Sequence, residues 1–215
     1  MKMLFLNLGI LIGSLALAGC VTSKPYDYTN FRAHPPRSIV VLPPLNQSTD
    51  IKGTYSYLST VTRPLAEMGF YVFPVAEVDE LMKENGLPTA GEMHQVPLNK
   101  IGEIIGADSV LYVTLKQYGS KYEIISSVTT VSADAKLVDV KTGLTLWEGS
   151  ANVRQGSGDS GGSIIGALIT AAVTQVVNSA TDPAHDVSSM ANYQLFTPKE
   201  HGLLHGPYFP KDKEQ

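Results

Sequence analysis

One thiol stands in the 215-residue chain, at Cys20. A lone cysteine forms no disulfide within its own chain, so its chemistry is that of a nucleophile or of an acceptor for a covalent group. The flanking residues favour the acceptor. Upstream, Lys2 is followed by an apolar run from Met3 to Ala18, broken only by Asn7, Gly9, Gly13 and Ser14. That run has the proportions of a secretory leader and is shorter than the roughly 20 apolar residues a membrane-spanning helix requires. At its end Ala18 and Gly19 are small enough for an extended backbone to enter a peptidase cleft, Leu17 suits an apolar subsite, and Cys20 offers a sulfur that holds a diacylglyceryl group as a stable thioether. The expectation is a signal peptide over residues 1–19 that ends in small residues just before Cys20.

Past residue 20 no thiol remains, which excludes thiol catalysis and thiolate metal sites from the rest of the chain. The histidines are His34, His94, His185, His201 and His205, and only His201 and His205 have ligand-like spacing. They sit beside Gly202, Gly206 and Pro207, where a helix does not persist, and a metal there needs a carboxylate such as Glu200 or Asp186 to converge on them. The run Gly156-Ser157-Gly158-Asp159-Ser160-Gly161-Gly162 suggests a phosphate loop, but it lacks the Gly-Lys-Ser/Thr ending and reads as a hinge. No Gly-x-Ser-x-Gly elbow sits on a strand-to-helix turn. Asp79, Glu80 and Glu84 read as the solvated face of a short helix. The expectation is a protein without catalytic residues, metal or other cofactor.

Removing residues 1–19 takes away Lys2 alone among the charged groups, leaving 15 basic against 20 acidic side chains. A mildly acidic chain with no Lys or Arg run does not make the basic stripe that nucleic-acid binding needs. Attachment to a membrane should therefore rest on acyl chains at Cys20.

These groups need a frame. Val21 to Arg37 is polar and carries Pro25, Pro35 and Pro36, so residues 20–37 read as a lipidated tether, extended or disordered, with Tyr26, Tyr28 and Phe31 its only large apolar groups. An α/β domain is expected over 38–198, with a tail over 199–215. The run Ser38-Ile39-Val40-Val41-Leu42 before Pro43-Pro44 predicts a strand buried on both faces. Tyr55, Leu58, Val61, Leu65 and Met68 predict a helix ending at Gly69; a strand over Gly69–Val75 and a short helix from Val75 follow. A loop spans Leu87–Val96, then a helix over Leu98–Ile105 and a second buried strand over Ala107–Leu115. Ser126–Val140 alternates like a half-exposed antiparallel strand, turns at Asp139–Gly143 and returns over Leu144–Arg154 with Trp147 as anchor. Helices are expected over Ser163–Val177 and Val187–Phe196. The fold class is α/β: a three-layer-like mixed sheet with a parallel first half (strand-helix-strand-helix-helix-strand), an antiparallel hairpin second half and C-terminal helices.

Gly158, Gly162 and Gly166 fall four apart and make a close-approach face, open to packing on a neighbouring helix or on a second subunit.

Joined together, the Leu17–Cys20 box, Ser38-Ile39-Val40-Val41-Leu42-Pro43-Pro44, Gly106-Ala107-Asp108-Ser109-Val110-Leu111-Tyr112, Asp139-Val140-Lys141-Thr142-Gly143, Trp147-Glu148-Gly149 and Gly202-Leu203-Leu204-His205-Gly206-Pro207-Tyr208 resemble a family of proteobacterial lipoproteins that includes a meningococcal surface-antigen candidate. The box resembles the bacterial lipobox, which implies cleavage before Cys20, lipid on its sulfur and acylation of the new amino terminus; Val21 in place of Asp resembles lipoproteins forwarded to the outer membrane. More distantly the pattern is similar to the periplasmic domain of the curli secretion channel subunit and to the amino-terminal domain of the Tol system's propeller protein. The resemblance implies an outer-membrane lipoprotein facing the periplasm that binds other envelope proteins or itself, and, as an alternative, a subunit of a curli-like secretion channel. The Tyr122–Arg154 hairpin offers few amphipathic strands for a barrel.

Overall fold

The computed structural model describes residues 25–123, 126–156 and 182–213. Leu17, Ala18, Gly19, Cys20, the glycines Gly158, Gly162 and Gly166, and the helix expected over Ser163–Val177 lie outside the described residues.

The first strand, β1 (Ser38–Val41), shows why its sequence is apolar without a break. Ile39 and Val41 enter one core, Val40 and Leu42 another, and all four are fully buried. A strand covered on both faces cannot alternate. Its neighbours are both parallel: β3 (Tyr71–Val72) on one side and β4 (Ser109–Glu123) on the other. β2 (Leu45–Asn46) also runs parallel to β4, where β1 has ended. β5 (Ser126–Asp139) and β6 (Thr145–Gly156) complete an antiparallel meander, giving the order β3-β1-β4-β5-β6. The class is mixed α/β, parallel in its first half and antiparallel in its second.

The helices in chain order are α1 (Thr29–Ala33), α2 (Gly53–Glu67), α3 (Val75–Glu84), α4 (Ala90–Met93), α5 (Leu98–Ile104) and α6 (Pro183–Phe196). α2 and α6 cover one face of the sheet through Tyr57, Leu58, Val61, Leu65, Val187, Leu195 and Phe196. On the other face α3, α4 and α5 bring Val78, Met82, Met93 and Ile101 against Val40, Leu42 and Val110. That second cover ends near β4. Among the described residues, three layers therefore stand over the parallel half and two over the meander.

Several expectations change. The strand over Gly69–Val75 shrinks to Tyr71–Val72, because Val75 already opens α3. β4 runs eight residues beyond Leu115 to Glu123, since every residue there keeps a partner on β5 except at a bulge between Leu115 and Gln117. The loop over Leu87–Val96 contains α4, started by a capping box in which the Thr89 hydroxyl accepts from Glu92 N–H and the Glu92 carboxylate accepts from Thr89 N–H. α6 begins at Pro183, earlier than Val187, because Asp182 caps it by accepting from Ala184 and His185 N–H groups. From Tyr26 onward the expected tether is folded against the domain, with Phe31 buried, and the tail is docked as far as Phe209, with Leu203 buried.

Candidate functional site

The N-terminal segment and the C-terminal tail meet at the start of β6. Tyr26 Oη accepts a 2.8 Å bond from the N–H of Glu148, and Asn30 Nδ2 donates to the carbonyl of Thr145 at 3.0 Å. These are outward-facing groups of an edge strand, which a fold must satisfy or shield. Tyr28 Oη donates to the carbonyl of Gly202, and the Tyr26 and Tyr28 rings pack 4.6 Å apart. Burial raises the pKa of both phenols, more than the Glu148 N–H bond lowers that of Tyr26. One turn later Phe31 sets its ring edge-on to Phe70, 6.4 Å away, at the end of α2.

The tail closes the same end of the molecule. Trp147 Nε1 donates to the His201 carbonyl, Leu203 N–H to the Phe196 carbonyl, Gly206 N–H to Met68 and Tyr208 N–H to Gly69. Six elements thus converge on Tyr28, Trp147 and the Gly202–Phe209 backbone. The Tyr-x-Tyr pair after a polar stretch was the only sequence sign of this clasp.

Among the described residues, His94, His201 and His205 serve packing and backbone contacts. His205 lies flat on Phe209, 3.6 Å between ring centroids, and His201 contributes its carbonyl to Trp147. His94 donates from Nε2 to the Pro43 carbonyl at 2.9 Å and meets the Tyr112 ring edge-on at 5.2 Å; burial lowers its pKa, against a smaller opposing effect of that bond. A nucleophile-base-acid sequence comes nearest at Ser59, His185 and Asp186. His185 Nε2 is 3.2 Å from Ser59 Oγ, but Nδ1 is 3.8 Å from Asp186 Oδ1, and Ser59 already donates to the Ser56 carbonyl on the same helix. Both helices present these groups at the surface of the described residues. Asp79 accepts from Lys83 at 2.6 Å, a pair whose bond raises the Lys83 pKa. Among the described residues no three His, Cys, Asp or Glu side chains gather as a metal group, and no helix is long and apolar enough to cross a membrane.

The described residues form an aromatic clasp, an α/β body and a long antiparallel arm. Comparison with known proteins places this build. The family model described as "Putative lipoprotein GNA1162-like" matches residues 26–208. The "Putative lipoprotein NMB1124/NMB1162" of Neisseria meningitidis serogroup B is 46% identical over 216 residues, covering 99% of each chain. The crystal structure of lipoprotein GNA1162 from Neisseria meningitidis overlays with a TM-score of 0.57 at 49% identity, covering 67% of this chain and 100% of that one. On these matches the chain belongs to the GNA1162-like lipoprotein family.

Proposed function

We propose that this chain is a non-catalytic lipoprotein, cleaved after Leu17-Ala18-Gly19 and lipidated on Cys20, held at the outer membrane with its α/β domain in the periplasm, where it binds protein partners in envelope assembly or transport. The observation that carries the reading is the clasp. Among the described residues Tyr26 is tied to Glu148 and Tyr28 to Gly202, so lipid on Cys20 would be joined to the body by a strap of at most a few residues. Such a strap suits a module that is kept against a surface to hold others there. Its exposed large side chains include Ile51, Tyr55, Tyr71, Ile104 and Tyr208, spread over the helical layers and loops as anchors for partners.

Labelling cells with radioactive palmitate tests the anchor. Label should enter the wild type and be missing from Cys20→Ser, which should leave the membrane fraction; label retained by the variant sinks the assignment. Crosslinking in cells, followed by mass spectrometry of the linked species, should recover envelope proteins, and recovery of the chain alone and uncrosslinked counts against the binding role. A secretion-channel subunit is the weaker alternative. β4, β5 and β6 are long enough to span a bilayer, but the face turned away from the core carries Lys121, Asp134, Lys136 and Arg154, charges that a lipid-facing strand does not tolerate at mid-bilayer.

A further inference from the structure

The last turn of α3 is closed by a set of short backbone ties. Asn85 caps the helix, and Gly86 follows with φ +80°, a left-handed value that residues with a side chain resist. Gly86 N–H donates to the Lys83 carbonyl at 3.0 Å and Leu87 N–H to the Met82 carbonyl at 3.1 Å, the two bonds of a Schellman motif. Asn85 adds a side-chain tie, since its Nδ2 donates to the Leu81 carbonyl at 2.7 Å. Met82, Asn85 and Leu87 line one small apolar recess with Ile101 and Lys100 of α5, so this turn also closes an edge of the second core.

The glycine that completes this motif also opens Asn85 to attack by its own backbone. Of the eight asparagines in the chain, Asn85 alone is followed by glycine, so its side-chain Cγ meets a backbone nitrogen with no neighbouring Cβ in the way. Both residues are exposed, and among the described residues nothing stands within 4 Å of where a Gly86 Cβ would lie. The folded turn holds the reaction off. Closing a five-membered imide needs ψ of Asn85 rotated far from its +16°, with the Gly86 N–H and the Asn85 amide both released from their carbonyls. That release is an opening of the last turn, and a helix end held by exposed hydrogen bonds opens at a fraction of the cost of global unfolding.

We infer that Asn85 is a self-modification site, which deamidates through an imide with Gly86 at a rate set by opening of the last turn of α3. The Gly86 nitrogen bonds to Asn85 Cγ and passes its proton, by way of solvent, to the departing Nδ2, which leaves as ammonia when the Cγ–Nδ2 bond breaks. Water then adds to one imide carbonyl and breaks that carbon's bond to nitrogen, giving aspartate from the Cγ carbonyl and isoaspartate from the backbone carbonyl. Either product undoes the turn. Aspartate replaces a donor to the Leu81 carbonyl with an acceptor and puts negative charge at the negative end of the helix dipole, beside Glu84. Lys83 and Lys100, the cations on the same turn and at the same recess, are already paired with Asp79 and Glu103. Isoaspartate lengthens the main chain between Asn85 and Gly86 and breaks the register of the Schellman bonds. The modification loosens the α3 cover over Val40 and Leu42, and it proceeds whether or not Cys20 carries lipid.

Peptide mapping by mass spectrometry tests this on the full chain kept for days in neutral detergent, with isoaspartyl methyltransferase labelling to count isoaspartate. The same chain in guanidinium chloride is the reference with the turn open. There Asn85 should convert before any other asparagine and give both products. In the folded chain it should convert at least about tenfold more slowly, as a turn open for a tenth of the time or less requires. Glu84→Gly, an exposed change that weakens the last helical turn, should speed conversion several-fold in the folded chain relative to its own rate in denaturant, with circular dichroism confirming the fold. Asn85→Gln keeps a side-chain amide and should stay unmodified over the same period, while Asn85→Asp should unfold at a lower urea midpoint than Asn85→Gln. Another asparagine converting first in denaturant, equal rates in the folded and denatured chains, a Glu84→Gly ratio equal to that of the wild type, or an Asn85→Asp midpoint at or above that of Asn85→Gln overturns the inference.

Discussion

The indole Nε1 of Trp147 donates a 3.0 Å hydrogen bond to the carbonyl oxygen of His201, joining the start of β6 to the tail 54 residues later. Trp147 is fully buried, its ring lies 5.6 Å from that of Phe196, and Gly149 makes room for it: a Cβ at Gly149 would come 2.5 Å from the indole. Trp147→Phe keeps an aromatic ring but leaves the His201 carbonyl without its donor. The expected cost is about 2–4 kcal/mol, from the lost bond and the unfilled volume. Urea unfolding should show it as a lower midpoint with an unchanged slope; a midpoint within error of the wild type would mean that the tail does not depend on this bond.

Gly69 is where the tail presses hardest. Its φ is +87°, and a Cβ there would sit 2.1 Å from the backbone nitrogen of Phe209. Gly86 offers the comparison, with φ +80° and nothing within 4 Å of its missing Cβ. Gly86→Ala should cost only the left-handed backbone penalty of about 1–2 kcal/mol. Gly69→Ala adds a collision with backbone that cannot swing aside, so it should cost several kcal/mol in all, or displace the tail. Equal losses for the two, measured by thermal unfolding, would contradict the docked position of Phe209.

The central parallel strands were legible because burial on both faces leaves a continuous apolar run, as in Ile39–Leu42, and the Asp139–Gly143 turn because only a few residue types satisfy it. Asp139 accepts from the N–H and hydroxyl of Thr142, and Gly143 takes φ +72°. The far half of β4 was hidden by its own composition: Gln117 to Glu123 has no alternating apolar signal, and its pairing with β5 supplies what local pattern lacks. The clasp was hidden for a different reason. Tyr26, Tyr28 and the Gly202–Phe209 backbone are short, proline-flanked segments whose structure comes from contacts more than 100 residues distant, such as Tyr28 with Gly202, which no local periodicity encodes.

Between α2 and α6 the contact is partly polar. Thr60 Oγ1 lies 2.9 Å from Ser188 Oγ, accepts from Asn192 Nδ2 at 2.9 Å, and donates to the Tyr57 carbonyl at 2.8 Å, all in the buried interior. Thr60→Val should therefore destabilise by about 1–3 kcal/mol, leaving the Ser188 and Asn192 groups short of a partner. Tyr57 is the opposite case: its ring is fully buried and its hydroxyl has no hydrogen-bond partner among the described residues. Tyr57→Phe removes an uncompensated polar group and should leave stability unchanged or raise it by up to about 1 kcal/mol. Burial also pushes the Tyr57 pKa up. With the folded value above the unfolded one near 10, stability is present below about pH 10 and declines as pH rises past it, because the unfolded chain ionises first. The Phe variant should shift the alkaline unfolding midpoint upward. A clear loss of stability in Tyr57→Phe at neutral pH would show that the hydroxyl has a partner.

His94 sets the acid side. Its imidazole bridges α4 to the end of β1 through the Pro43 carbonyl, with Tyr112 the titratable neighbour at its ring edge. Burial is the larger influence and lowers its pKa; the carbonyl bond raises it by less. The folded value is therefore below the unfolded one near 6.5, and an unfolded chain takes up a proton that the folded chain refuses. Stability from this group is present above about pH 6.5 and is lost as pH falls through the folded pKa. His94→Gln keeps a side-chain donor within reach of Pro43 and removes the titration. Urea midpoints measured at about pH 7.5 and about pH 5 should fall further in the wild type than in the variant, and the surplus is the share of this histidine. Carboxylates titrate in both proteins, so their contribution cancels in the comparison. Parallel losses in the two proteins would place the acid sensitivity elsewhere and leave His94 as a structural link alone.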